Sequence, residues 1–250
     1  MKNIKVCVNI IWEYSTNLES IEILNTLIRR LSSTGISYIR LDVEKIIGLD
    51  SKRCNEFDEI CRANNISWIP IATSIEVIDF TRPYYNKLPN GKSGYISAIP
   101  SNLIKDYKLI EHVQECADYT ILYTGLSSQS QIDKSISIAQ PDIIVHEVYE
   151  DIKLDYLTYL RHISSEFSKK YEIGFTQCNE NNVNLLIAAS TLGAEFIEYS
   201  IKLNETSHLT FSSESSELSY LVHSLDLITN SRGGYEARRL TKNEKLLLKS

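Results

Sequence analysis

The sequence predicts a single (β/α)8 barrel, and three observations carry that expectation. Short apolar runs of strand length alternate with stripes of helical spacing eight times over. The stretch Tyr171–Ser200 reads as one strand–helix–strand unit with almost no slack, its helix stopped by Gly193, a residue suited to the left-handed position after a helix. No linker or shift in composition divides the 250 residues. An open doubly wound sheet is the competing fold. Eight repeats of similar length favour closure, because right-handed crossovers leave few other solutions. The barrel is assigned to residues 1–230, with 231–250 a basic, polar extension.

Taken in order, the first strand is Ile4 to Ile10. The next helix starts at a capping-box pattern, Thr16-Asn17-Leu18-Glu19, buries Ile21, Leu24, Leu27, Ile28 and Leu31, and ends at Gly35. Strand two is Ser37 to Leu41, and a helix over Lys52–Asn64 buries Phe57, Ile60 and Cys61. Strand three, Ile66 to Ala72, leads to a helical turn, Ile75–Phe80. Residues Arg82 to Gly91, with two prolines and Asn-Gly, form a long loop. Strands four and five are Tyr95–Ile99 and Tyr119–Tyr123, with helices carrying Leu109, Ile110 and Val113, then Ile132, Ile136 and Ala139. Strand six is Asp142–Val145, ending in His146-Glu147, and its helix uses Tyr156, Leu160, Ile163 and Phe167. Strand seven is Tyr171–Phe175 and strand eight Ala194–Tyr199. Leu218, Leu221, Val222, Leu225 and Ile228 mark the last helix.

A net charge of −6 argues against general affinity for nucleic acid or an anionic membrane. The apolar run Val6–Trp12 is too short to span a bilayer and lacks a signal-cleavage site. Five scattered cysteines without a C-x-x-C pair fit a reduced, cytoplasmic setting. No phosphate-cradling glycine motif appears, so no nucleotide cofactor is expected. The sequon at Asn204 reads as chance. The C-terminal tail is expected to be a surface extension or a contact in a homodimer or heteromeric complex.

Parallel α/β barrels place their chemistry where strands end. The candidates there are Asn9, Arg40, Asp42, Ser101, Thr124, His146, Cys178 and Glu198. Arg40 with Asp42 reads equally as an anion-binding arginine oriented by a carboxylate or as a structural ion pair in the barrel mouth. Ser101 and Thr124 are expected to cap helices, a role compatible with contacting a ligand. His146 and Cys178, on adjacent strands, are candidate metal ligands, the alternative being a buried cysteine beside a structural histidine. Glu147 should point the other way along its strand. Glu198 reads as an orienting carboxylate, a ligand contact or an exposed rim residue. Tyr84 and Tyr85 on the long loop are placed for stacking on a carbohydrate.

Ile99-Pro100-Ser101, Thr124-Gly125, Ile173-Gly174, Ala188-Ala189 and Leu192-Gly193-Ala194-Glu195-Phe196-Ile197-Glu198 resemble the sialic acid synthase family, as does Glu59-Ile60-Cys61 followed by Ile66 and Trp68. The resemblance covers roughly Val6 to Asn230. The family's C-terminal antifreeze-like domain is expected to have no counterpart. The resemblance implies a barrel that condenses phosphoenolpyruvate with an N-acetylated amino sugar using a divalent metal, Mn²⁺ or Mg²⁺. It assigns Ser101, Thr124 and Glu198 as matching site residues and His146 as a matching metal ligand. Elsewhere the chain departs from the pattern. Asn9 stands for a glutamate, Glu13-Tyr14 for asparagine-histidine, Arg40 and Ala98 for lysines, Leu103 for a glutamate and Cys178 for the second histidine. Cysteine at that place would shift the preference toward Zn²⁺.

The functional expectation is therefore an amino-sugar or acidic-sugar barrel of surface-polysaccharide biosynthesis with an altered site. Glu198, Arg40 and Asp42 would act in catalysis, and Arg40, Ser101, Thr124 and Asn9 would bind a sugar or a phosphoenolpyruvate-like anion. A pseudoenzyme that binds a sugar phosphate or a partner subunit without turnover is the alternative, and a metal-dependent isomerase or lyase a third.

Overall fold

The structure, a computed structural model, describes residues 4–12, 21–149, 170–178, 182–203 and 207–231. Eight parallel strands make the barrel: β1 Lys5–Trp12, β2 Tyr38–Leu41, β3 Ser67–Pro70, β4 Ile96–Ile99, β5 Tyr119–Tyr123, β6 Ile143–Val148, β7 Glu172–Gln177 and β8 Phe196–Leu203. Their order around the wall is β3-β2-β1-β8-β7-β6-β5-β4. The seam between β3 and β4 is narrow. It is closed by a parallel bridge between Ile71 and Ala98, with Ala72 N donating to Ala98 O at 2.9 Å.

Alternation along each strand sorts residues between two apolar layers. Cys7, Tyr38, Ile69, Ile96, Ala98, Ile121, Tyr123, Val145 and Phe196 fill the barrel. Val8, Ile10, Ile39, Trp68, Leu122, Ile144, Phe175 and Ile197 face the helices. Burial of each such aliphatic side chain contributes about 1.5–3 kcal/mol.

The helices are α1 Ile21–Ser33, α2 Val43–Ile46, α3 Ser51–Ala63, α4 Ile75–Thr81, α5 Tyr107–Cys116, α6 Gln129–Ala139, α7 Val183–Thr191 and α8 Ser207–Ser231. α1 buries Leu24, Leu27, Ile28 and Leu31, four of the five residues read as its stripe, and Gly35 past its end has φ +90°. Gly193 likewise follows α7 with φ +117°. Trp68 ties β3 to α3 by packing on Phe57 (5.6 Å) and donating from its indole to buried Asp58 at 2.8 Å.

Several expected boundaries move. β6 runs to Val148, β7 to Gln177 and β8 from Phe196 to Leu203, so polar residues read as loop lie inside strands. Backbone pairing is indifferent to side-chain polarity, and the registers Glu147↔Thr176 and Val148↔Gln177 continue the ladder. The loop after α4 contains a small antiparallel hairpin, Asn86–Lys87 with Ser93–Gly94. Its Leu88 packs into the barrel-filling layer, so the hairpin stoppers the N-terminal mouth. The Thr16–Glu19 capping box, Glu13-Tyr14, the apolar residues expected between Tyr156 and Phe167, and the tail from residue 232 lie outside the described residues.

Candidate functional site

The polar centre of the barrel is built from three strands. Arg40 of β2, Tyr123 of β5 and Glu198 of β8 all point inward and are buried, Glu198 with 0% of its surface exposed. Arg40 Nη2 donates to Glu198 Oε1 at 2.9 Å, and its Nε lies 2.9 Å from Oε2. One of these contacts is a hydrogen bond and the other a close charge contact, because Arg40 Nε is buried and makes no hydrogen bond among the described residues. Tyr123 OH donates to Glu198 Oε2 at 2.6 Å, while its ring lies under the guanidinium, 3.9 Å from Arg40 Cζ. Burial alone would lower the pKa of Arg40, but the charges of Glu198, Tyr123, Glu147 and Cys7 together outweigh it and drive the value up. Burial pushes the Glu198 carboxyl upward against the pull of Arg40 and the Tyr123 hydrogen bond.

Above this centre, at the C-terminal ends of the strands, lies a cavity of about 370 Å³. Asn9, Arg40, Asp42, Ser101, Glu147 and Cys178 contribute its polar wall, with Tyr149, Ile71 and Leu103 beside them. Asn9 Nδ2 reaches Ser200 Oγ at 3.5 Å, and the Ser101 and Tyr149 hydroxyls are 3.2 Å apart. Cys178 Sγ donates to Glu147 Oε1 at 3.6 Å. Burial, then the Glu147 and Glu198 charges, hold the Cys178 thiol well above its usual pKa, so it is protonated at neutral pH. Glu147 Oε2 is buried and has no hydrogen-bond partner among the described residues. Gly125 makes room for this group: a Cβ there would lie 2.7 Å from Glu147 Cβ and 2.6 Å from Tyr149 Cε2.

The structure brings Asn9, Arg40, Asp42, Ser101 and Cys178 to this cavity, with Glu198 directly beneath. It rearranges their partners. Asp42 does not orient Arg40; it caps α2 by accepting from Lys45 N at 3.1 Å and pairs with Lys45 Nζ at 3.6 Å. Glu198 takes its place and is no exposed rim residue. Thr124 is turned away from the cavity, donating to Val145 O at 3.2 Å, and caps no helix. Ser101 lies inside a single 3-10 turn that Pro100 precedes, so it is not a cap either.

His146 is the largest correction. Val145 fills the barrel and Glu147 lines the cavity, so His146 between them faces outward, its ring 6.0 Å from Phe175. Burial lowers its pKa to about 4. Cys178 therefore meets Glu147 rather than His146. Tyr84 packs on Trp68 (5.5 Å) and bonds Asn55 (2.8 Å), leaving the N-terminal side of the barrel, not the cavity, as its place. Tyr123 and Tyr149 carry no signal in the sequence that marks them for the site, and Glu147, expected to point away along its strand, instead lines the cavity beside Gly125. Inward alternation from Val145 was the available signal for Glu147.

An eight-stranded parallel barrel with a polar cavity at its strand C-termini defines the class: a (β/α)8 barrel. A NeuB family model matches residues 32–237, so the chain belongs to the NeuB family. Among solved structures it is similar to an N-acetylneuraminic acid (sialic acid) synthetase from Leptospira borgpetersenii serovar Hardjo-bovis in complex with citrate. That match has a TM-score of 0.75 and 18% identity over 99% of this chain and 91% of the other. It is similar also to the spore coat polysaccharide biosynthesis protein spsE of Bacillus subtilis (TM-score 0.71, 13% identity, 97% of this chain and 72% of that one). A truncated 3-deoxy-D-arabino-heptulosonate 7-phosphate synthase from Thermotoga maritima matches at TM-score 0.64 and 12% identity, over 92% and 88% of the two chains. At these identities the likeness is one of fold. Comparison with curated protein sequences gave no match. No helix among the described residues is long and apolar enough to cross a membrane.

Proposed function

We propose that this barrel serves the biosynthesis of an acidic or amino sugar for a surface polysaccharide, and that a sugar derivative binds in the cavity. One observation carries the reading. Glu147 lines the cavity and carries a buried carboxylate oxygen, Oε2, that no described residue satisfies, in a wall that also holds the amide of Asn9 and the hydroxyls of Ser101 and Tyr149. An unsatisfied buried acceptor is costly, and the hydroxyl groups of a sugar are donors that relieve it. Family membership supports the sugar class.

Condensation of phosphoenolpyruvate with an N-acetylated sugar is the finer reading. In it Arg40 holds the anion through N–H groups not spent on Glu198, Asn9 and Ser101 position the ligand, and Glu198 fixes the plane of the guanidinium. A divalent metal would find two converging donors here, Cys178 and Glu147. Catalytic zinc takes about three protein ligands, and Mg²⁺ or Mn²⁺ prefers oxygen throughout. The described residues do not fit that group, and no step is assigned to it.

Binding without turnover is the second reading, and the charge balance favours it. Arg40 and Lys45, the cations lining the cavity, are paired with Glu198 and Asp42, and Glu147 adds a negative charge. Phosphoenolpyruvate needs fixed cations around it. Thermal melting of the full chain with N-acetylmannosamine or phosphoenolpyruvate, each with and without Mn²⁺, Mg²⁺ or Zn²⁺, tests the proposal. A ligand bound only by the folded state raises the melting temperature. Stabilisation by the sugar is expected. Phosphate release from the mixture supports condensation, and stabilisation without release supports binding alone. No shift with either compound removes both readings.

A further inference from the structure

Outside the barrel, remote from the cavity, α4 and α5 lie side by side and three metal-binding side chains meet between them. His112 and Cys116 stand one turn apart on α5 and so project from one face. Asp79 approaches from α4. His112 Nε2 is 2.8 Å from Asp79 Oδ1 and 3.8 Å from Cys116 Sγ, and the three ligand atoms lie within 4.8 Å of one another. Both neighbours thus address the same ring nitrogen. One imidazole nitrogen carries either a proton or a lone pair, so hydrogen bonding serves one neighbour at a time. The arrangement is not a nucleophile triad either, which needs the carboxylate on the nitrogen opposite the thiol. A cation accepting lone pairs from imidazole, thiolate and carboxylate satisfies all three together.

We propose that Asp79, His112 and Cys116 bind one Zn²⁺ ion, with water in the remaining position. Zinc bonds to sulfur, nitrogen and oxygen are about 2.3, 2.0–2.1 and 2.0–2.2 Å long. With bonds of those lengths, the nitrogen–sulfur and nitrogen–oxygen separations correspond to angles at zinc of roughly 120° and roughly 85°, and the sulfur and carboxylate oxygen share the ion once they lie within about 4.4 Å of each other. The thiolate and imidazole select against Mg²⁺, Ca²⁺ and Mn²⁺. Binding takes the proton from the Cys116 thiol and releases it to solvent. The ion ties α4 to α5 on the outside of β4. Asp79 is exposed and His112 half-buried, so the ion reaches the site without the barrel opening.

The test titrates the metal-stripped full chain with Co²⁺ as a spectroscopic probe and Zn²⁺ as competitor. One equivalent of Co²⁺ is expected to bind with a thiolate charge-transfer band that Zn²⁺ abolishes. Cys116→Ser should lose the band, and His112→Ala and Asp79→Asn should weaken binding about tenfold or more. Cys178→Ser, in the cavity, should keep the band, which separates this site from any metal in the barrel mouth. A band that survives Cys116→Ser, or vanishes with Cys178→Ser, overturns the proposal. So does the lack of one-to-one binding. On the unaltered protein, Zn²⁺ should protect Cys116 from alkylation, read by mass spectrometry; equal labelling with and without zinc overturns it independently of any variant's folding.

Discussion

Arg40 and Glu198, 158 residues apart in sequence, face each other inside the barrel, with two guanidinium nitrogens each 2.9 Å from a different carboxylate oxygen. Both side chains are buried, so each is the condition for the other's charge. Deleting one partner leaves an uncompensated ion and is expected to cost about 3–5 kcal/mol. Replacing both with apolar groups avoids that penalty. Urea unfolding of Arg40→Met, Glu198→Leu and the double variant Arg40→Met/Glu198→Leu should show the double variant more stable than either single one. Additive losses would contradict the pairing.

The Glu147 acceptor leads to a binding prediction. Glu147→Gln replaces a charged acceptor with a neutral one, and hydrogen bonds to charged groups contribute about 1.5–3 kcal/mol. Sugar affinity should fall about tenfold or more in calorimetric titration, with little change in the fold. Unchanged affinity would place the ligand elsewhere.

Gly125 tests the same wall by crowding. In Gly125→Ala the new methyl lies 2.6 Å from Tyr149 Cε2 and 2.7 Å from Glu147 Cβ, so both must shift. A stability cost of about 1–3 kcal/mol is expected, together with loss of the ligand-induced rise in melting temperature. A variant that melts and binds like the parent would show that the two side chains yield freely.

His146 supplies the pH dependence. Its folded-state pKa is lowered to about 4 by burial, whereas the unfolded value is about 6.5. Between these values the unfolded chain binds a proton that the folded one excludes, so stability falls as pH drops through that window and is level above it for this group. The full contribution is about 3 kcal/mol. His146→Gln should flatten the difference between pH 7 and pH 4 by that order when unfolding free energies are compared. An identical slope in both proteins would mean the imidazole is solvated.

Much of the architecture was legible because it rests on periodicity. The helical stripe of α1, the glycine after α7 and the strand at Tyr119–Tyr123 follow from residue spacing and left-handed backbone tolerance. The rim was legible as a set of positions, since strand ends are where such barrels carry polar groups. Partner choice was not. Asp42 is two residues from Arg40 and looked like its counterion, but a carboxylate at the start of a helix bonds that helix's own N–H groups more readily than it reaches back.

Sequence by itself determined eight strands alternating with helices, since each apolar run needs two buried faces and each helical stripe needs one; an open doubly wound sheet meets the same needs, and the bridge between Ile71 and Ala98 decides for closure. Only the tertiary structure decided which side chains share a site. Alternation along β6 puts Glu147 in the cavity and His146 outside it, and the parity turns on where the strand is in register with its neighbours. Register is set by hydrogen bonds between distant segments, so a single residue's slip would exchange the two, and spacing along one chain cannot contain it.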